Sequence, residues 1–159
     1  MAGGRLIRGF EPLMQRAIRA RNVLANAMTL GVRGLALDQD RRVFLVRHGY
    51  TPGWHFPGGA VDAGETAAAA LARELREEGN LALDGAASLF GLYRNPRFPR
   101  DHVVFYVVRD VIQTAPPAPN REIAESGFFP LDRLPEATTP ATRRRLAEVL
   151  DGVAPAHDW

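Results

Sequence analysis

An α/β sandwich is the fold class predicted by this chain of 159 residues, and three observations predict it. Five short runs rich in β-branched and aromatic residues recur along it, at Met28–Leu37, Arg42–His48, Ala86–Arg94, His102–Ile112 and Gly127–Pro130. Only two or three segments carry helical periodicity, at residues 5–28, Thr66–Gly79 and Pro140–Leu150. Apolar residues make up 46% of the chain, ordinary for one globular domain large enough to close a sizeable core.

The first element is amphipathic. Leu6, Phe10, Leu13, Met14, Ile18, Leu24 and Met28 recur at helical intervals, while Arg5, Arg8, Arg16 and Arg19 take the other face. Pro12 suits a first helical turn. Such a helix packs on its own domain or on a second copy in a homodimer, with its basic face in water. The functional alternative is contact with anionic lipid or RNA. The chain therefore divides into a helical extension at 1–27 and a domain at 28–159.

The next two runs read as strands joined by a turn at Asp38-Gln39-Asp40, followed by a turn-rich loop from Gly49 to Gly59. The alanine run within Thr66–Gly79 favours helix strongly. Two strands follow, then a proline-rich surface connection, QTAPPAPNR, from Gln113 to Arg121. A short strand and the C-terminal helix complete the order.

Composition excludes several function classes. No apolar run approaches the roughly 18 residues of a membrane span, and no secretory pattern opens the chain. Cysteine is absent, so disulfides, thiolate catalysis and Cys-based zinc sites are ruled out. These features suit a reducing cytoplasm. All 20 basic residues are arginine, which nucleotide-composition bias explains, and the choice says nothing about substrate.

The segment GGAVDAGETAAAALARELREEGNL, from Gly58 to Leu81, carries the chemistry. Glu74, Glu77 and Glu78 stand at i, i+3 and i+4, one face of a helix. Like charges so close raise one another's pKa. A divalent cation removes the conflict, and hard oxygen donors suit Mg²⁺ or Mn²⁺.

The same residues resemble the signature of the Nudix hydrolases, G-x5-E-x7-R-E-U-x-E-E-x-G-U with U aliphatic. Gly59 opens it, Glu65 follows, then Arg73-Glu74, Leu75, Glu77-Glu78 and Leu81; Asn80 replaces the final glycine. Asparagine is the residue after glycine that best tolerates a left-handed helix end. The stretch ESGFFPLDRLP, Glu125 to Pro135, is similar to the family's E-x-x-W-F-x-x-x-x-L-P segment, and Thr29 to Pro57 resembles its opening hairpin.

The resemblance implies the Nudix fold, an α/β/α sandwich with a mixed β-sheet, and an enzyme that hydrolyses a diphosphate within a nucleoside diphosphate linked to another group. Its small phosphorylated substrate would be a nucleotide, ADP-ribose or a sugar nucleotide, with no DNA partner. It implies the Gly58 carbonyl, Glu74, Glu77 and Glu78 as ligands to Mg²⁺ (or Mn²⁺), with Glu65 and Arg73 paired in support beside Gly59. Those two lie eight residues apart, so pairing needs a bend or a non-helical start around Gly64. For the general base, Glu74, Glu77, Glu122 and Glu125 stay open. Substrate contacts are expected from Arg47, Trp54, His55 and Arg97, with His48 beside the first of these. Two alternatives stand beside the main reading: an RNA 5′-end pyrophosphohydrolase, and a non-catalytic nucleotide-binding module, which should have lost acids that this chain keeps.

Overall fold

Two buried clusters on opposite faces of the central strands organise the molecule. The computed structural model describes residues 14–16, 18, 21, 27–118 and 122–159. Its elements are β1 (Thr29–Ala36), β2 (Val43–His48), α1 (Ala67–Gly79), β3 (Leu81–Ala82), β4 (Ser88–Arg94), β5 (Asp101–Val108), β6 (Ile112–Gln113), β7 (Ile123–Phe129) and α2 (Pro140–Leu150). Strand alternation sends Val32, Ala36, Phe44, Val46, Val104 and Val108 to one cluster, under Ala70, Leu71 and Leu75 of α1. The intervening Leu35, Val43, Leu45, Phe105 and Val107 go to the other, with Leu146 of α2. Helix, sheet, helix is thus the layering, as expected.

The sheet is mixed. β1 runs parallel to β5, which pairs antiparallel with β4. β2 pairs antiparallel with β7, and the short β3 with β6. Here the expected opening hairpin is corrected. Its turn exists, with Arg41 N–H donating to the Asp38 carbonyl at 3.0 Å, but the two strands are bridged only at Leu37 and Val43 before they part. The loop before α1 fills the gap. His55 and Val46 exchange both backbone hydrogen bonds at 2.9 Å on the β2 side. On the β1 side, Gly34 N–H donates to Pro57 at 3.0 Å, Val32 to Gly59 at 2.8 Å, and Val61 to Leu30 at 2.9 Å.

Helix ends follow local chemistry. Thr66 caps α1 by accepting from Ala69 N–H at 3.2 Å, and Asn80 ends it in the left-handed conformation at φ 49°. Thr139 caps α2, with a proline in its first turn. The run expected as one strand from His102 to Ile112 is broken at Asp110, whose φ is 58°, so β6 is separate. The strand expected from Gly127 begins earlier, at Ile123, and Ala86 and Ala87 precede β4.

Of the N-terminal helix, residues Met14, Gln15, Arg16, Ile18 and Arg21 are helical and exposed, Met14 and Ile18 of the apolar stripe among them; the rest of 1–26, with Leu6, Phe10, Leu13 and Leu24 of that stripe, lies outside the described residues. So does the end of the proline-rich connection, at 119–121. Among the described residues, no helix is long and apolar enough to cross a membrane.

Candidate active site

The stitched loop presents its glycines to α1. With Pro57 and Gly59 bonded to β1, the residue between them faces away, and Gly58 N–H donates to Glu78 Oε2 at 2.8 Å. Gly58 sits at φ 141°, and a Cβ there would lie 2.1 Å from the Val32 carbonyl oxygen. At Gly59 a Cβ would lie 2.2 Å from Glu74 Oε1, so a side chain there would displace the Glu74 carboxylate, whereas at Gly58 the clash is with backbone. The backbone therefore approaches the helix's acidic face as closely as it can.

On that face the three carboxylates differ in environment. Glu78 is 5% exposed, Glu74 is largely buried, and Glu77 has a half-exposed side chain. Arg73 gathers the outer two, with Nη1 at 2.6 Å from Glu74 Oε1 and 3.6 Å from Glu77 Oε2. Its other donors fork onto Glu65 at 3.2 and 3.1 Å and reach the Ala60 carbonyl at 3.0 Å. Glu65 precedes the helix cap, with Gly64 at φ 87°, and this non-helical start permits the pairing. Arg73 in turn holds the Glu65 carboxyl below its usual range.

The positive charge that the triad demands is thus supplied in part by Arg73, and only to Glu74 and Glu77. Among the described residues, no three acids or histidines are gathered as a ready-made metal cage. Glu78 stays apart. Burial pushes its carboxyl up to about 8, Glu74 and Glu122 push the same way, and Gly58 N–H and Arg33 only partly oppose them.

Across from Glu78 lies the end of β2. His48 is 6% exposed, and its Nε2 stands 3.9 Å from Glu78 Oε1. Burial lowers its pKa, and so do Arg33 and His55. Tyr50 lies over it, ring centroids 5.3 Å apart, and its hydroxyl donates to Glu122 at 3.3 Å. A cleft of about 420 Å³ opens along residues 47–53 beside these groups.

Other residues singled out in the sequence fall differently. Trp54 is packed edge-on against Phe129, ring centroids 4.8 Å apart, and its carbonyl accepts from Thr142 Oγ1 at 3.2 Å, so it anchors the loop to α2. His55 turns its Nε2 to the Pro52 carbonyl at 3.0 Å. Arg47 forks onto Glu125 across the strand pair, with Nη2 at 2.6 Å from the carboxylate. Arg97 lies in the β4–β5 turn, where its N–H donates to Asn95 Oδ1 at 3.1 Å. Sequence reasoning passed over Arg33, whose Nη1 donates to the Phe56 carbonyl at 3.0 Å and whose charge acts on Glu78, His48 and Tyr50. The available signal was a charge inside an otherwise apolar strand, in GVRGLAL.

The comparisons agree with this geometry. The model of the NUDIX domain matches residues 28–150. An ADP-ribose pyrophosphatase of Methanocaldococcus jannaschii is 35% identical over 105 residues, covering 63% of this chain and 61% of that protein. The chain thus spans less than two thirds of that relative's length. Among solved structures, a MutT NUDIX hydrolase from Burkholderia pseudomallei is 28% identical with a TM-score of 0.64, over 76% of this chain and 97% of its own. An ADP-ribose pyrophosphatase from Streptococcus suis is 25% identical with a TM-score of 0.57, over 82% and 96%. Enzymes of this kind generally work with divalent metal ions. On the matching domain and on the motif residues that the fold brings together, this chain belongs to the Nudix hydrolase family.

Proposed function

We propose that this Nudix hydrolase cleaves the diphosphate linkage of a nucleoside diphosphate joined to another group, with Mg²⁺ (or Mn²⁺) held by Glu74, Glu77, Glu78 and the Gly58 carbonyl. The observation that carries the reading is Glu78, a carboxylate buried against a glycine backbone and pushed up to about 8 by burial and by acids on two sides. An all-oxygen donor set under that strain fits a hard divalent cation. Bound there, the cation supplies charge neutralisation for phosphate oxygens and acidifies an attacking water.

The remaining work belongs to the chain. Arg73 fixes Glu65, Glu74 and the Ala60 carbonyl in one network, so the acidic face is held before substrate arrives. Glu122 is the acid that we assign as general base. It is exposed, its charge reaches Glu78 and His48, and Tyr50 orients it, whereas Glu125 is taken up by Arg47. Arg33, whose charge reaches Glu78, and the cleft along residues 47–53 offer positive and polar groups to a diphosphate.

The test is incubation of the purified chain with Mg²⁺ and a panel of nucleoside triphosphates, ADP-ribose, dinucleoside polyphosphates, sugar nucleotides and 5′-triphosphate RNA, with products identified by mass. One preferred cleavage is expected, falling by about a thousandfold in Glu78→Gln with melting unchanged, on the scale of losing a key electrostatic group. No turnover across the panel, with metal bound, would favour a nucleotide-binding module.

A further inference from the structure

His48 is the one buried imidazole beside the acidic face whose two ring nitrogens, Nδ1 and Nε2, lack any hydrogen-bond partner among the described residues. A polar ring at 6% exposure with neither nitrogen satisfied is costly, and native structures rarely leave one so. Its backbone is not free to carry it elsewhere. His48 is registered against Ile123, and the next residue, Gly49, donates to the Glu122 carbonyl at 2.9 Å. Its ring is bounded by Tyr50 and His55, with centroids 5.3 and 5.9 Å away.

The acceptor that faces it is Glu78 Oε1, at 3.9 Å from Nε2. That is about 1 Å beyond hydrogen-bond length, a gap that a small side-chain rotation closes. The other oxygen, Oε2, already accepts the Gly58 N–H. We propose that His48 is a positioning residue for Glu78, donating Nε2–H to Oε1 and so fixing the carboxylate, pinned at its other oxygen by Gly58, in the orientation in which it meets a divalent cation. Each carboxylate oxygen has two acceptor sites, so one on each is left for the metal. The inference rests on the reading of Glu78 as a metal ligand, and it assigns His48 no contact with substrate.

The experiment measures Mn²⁺ affinity by electron paramagnetic resonance on the purified chain without substrate, comparing wild type, His48→Leu and His48→Gln, each checked by melting. Outer groups that orient a ligand are worth about 10- to 100-fold in metal affinity, and that loss is expected for His48→Leu. His48→Gln, which retains a donor at similar reach, should stay within about threefold of wild type. A folded His48→Leu that binds Mn²⁺ as tightly as wild type overturns the proposal. So does a His48→Gln that falls as far as the leucine variant, since a purely steric role predicts that result. If His48→Leu does not fold, imidazole ¹⁵N resonances of the wild type decide: the Nε2–H signal should shift when Mg²⁺ is added, and an unmoved ring overturns the inference. Failure of the wild type to bind Mn²⁺ would overturn the metal assignment itself, a result distinct from the other two.

Discussion

Arg73 and Arg145 are both arginine hubs, and they are built to opposite ends. Arg145 is 0% exposed. It pairs with Glu148 at 2.5 Å, donates to the Asp158 carbonyl at 3.0 Å, and lies over the Tyr93 ring at 4.1 Å from its centroid. Tyr93 in turn donates to Glu148 at 2.9 Å, and Trp159 packs edge-on against Tyr93 and Phe105. Glu148 and Tyr93 are buried, Asp158 and Trp159 half-buried, and the hub fastens the last residues to β4 and α2. Arg73 forms four side-chain hydrogen bonds to Arg145's two, yet its side chain is about a quarter exposed and two of its acids face solvent and the glycine loop. A guanidinium sealed among aromatics locks structure; one at a rim arranges charges for something still to arrive.

The sharpest way to break the comparison is to remove each arginine. Arg145→Ala leaves Glu148 buried without its cation, which should cost about 3 kcal/mol or more. For a chain of this size that lowers the melting temperature by roughly 10 °C. Turnover by the folded fraction should be unchanged, as differential scanning fluorimetry and assays well below the transition would show. Equal loss of activity and stability would place the C-terminal hub in the chemistry after all.

Arg73→Ala should show the converse. Its ion pairs are partly solvated, so stability should fall by about 1 kcal/mol or less in urea titration. Hydrolysis should fall about tenfold or more, because Glu65 and Glu74 lose their common anchor. A variant that unfolds while its folded fraction retains full kcat/KM would make Arg73 another structural lock.

The smallest effect lies at the rim of the C-terminal hub, where Arg94 forks onto Asp158 at 2.9 and 3.0 Å. Arg94 holds the Asp158 carboxyl below the usual aspartate range. The pair's contribution is therefore fully present above the ordinary aspartate pKa of about 3.9, and is lost as pH falls through the lower folded value. Melting of Arg94→Gln against wild type should differ slightly at neutral pH and converge in acid. A gap that persists in acid would mean that Arg94 acts by packing.

Two helices were legible because their signals are local: the alanine run within Thr66–Gly79 and the periodicity of Pro140–Leu150 both give bounds within a residue. Motif spacing likewise marks which acids share a face. Strand partnership is not local. β1 pairs with β5 across 72 residues, and nothing within Thr29–Ala36 records that its other edge belongs to a loop. For the same reason Trp54 and Arg47, read by type as candidates for substrate, have their side chains engaged by Phe129 and Glu125. The histidine at 48 was noticed only as a strand end, since sequence shows neither its burial nor its missing partners.

The loop carrying Gly58 is bonded on both sides, to β1 through Val32 and Gly34 and to β2 through His55. Surface loops ordinarily open at little free energy, so their amides exchange with solvent quickly. This one is held as a strand is held, and releasing its glycines means breaking its bonds to β1. The backbone partner of the acidic face is therefore held against local fraying. Conditions that spare the fold spare the site, and the two are expected to vanish in a single transition.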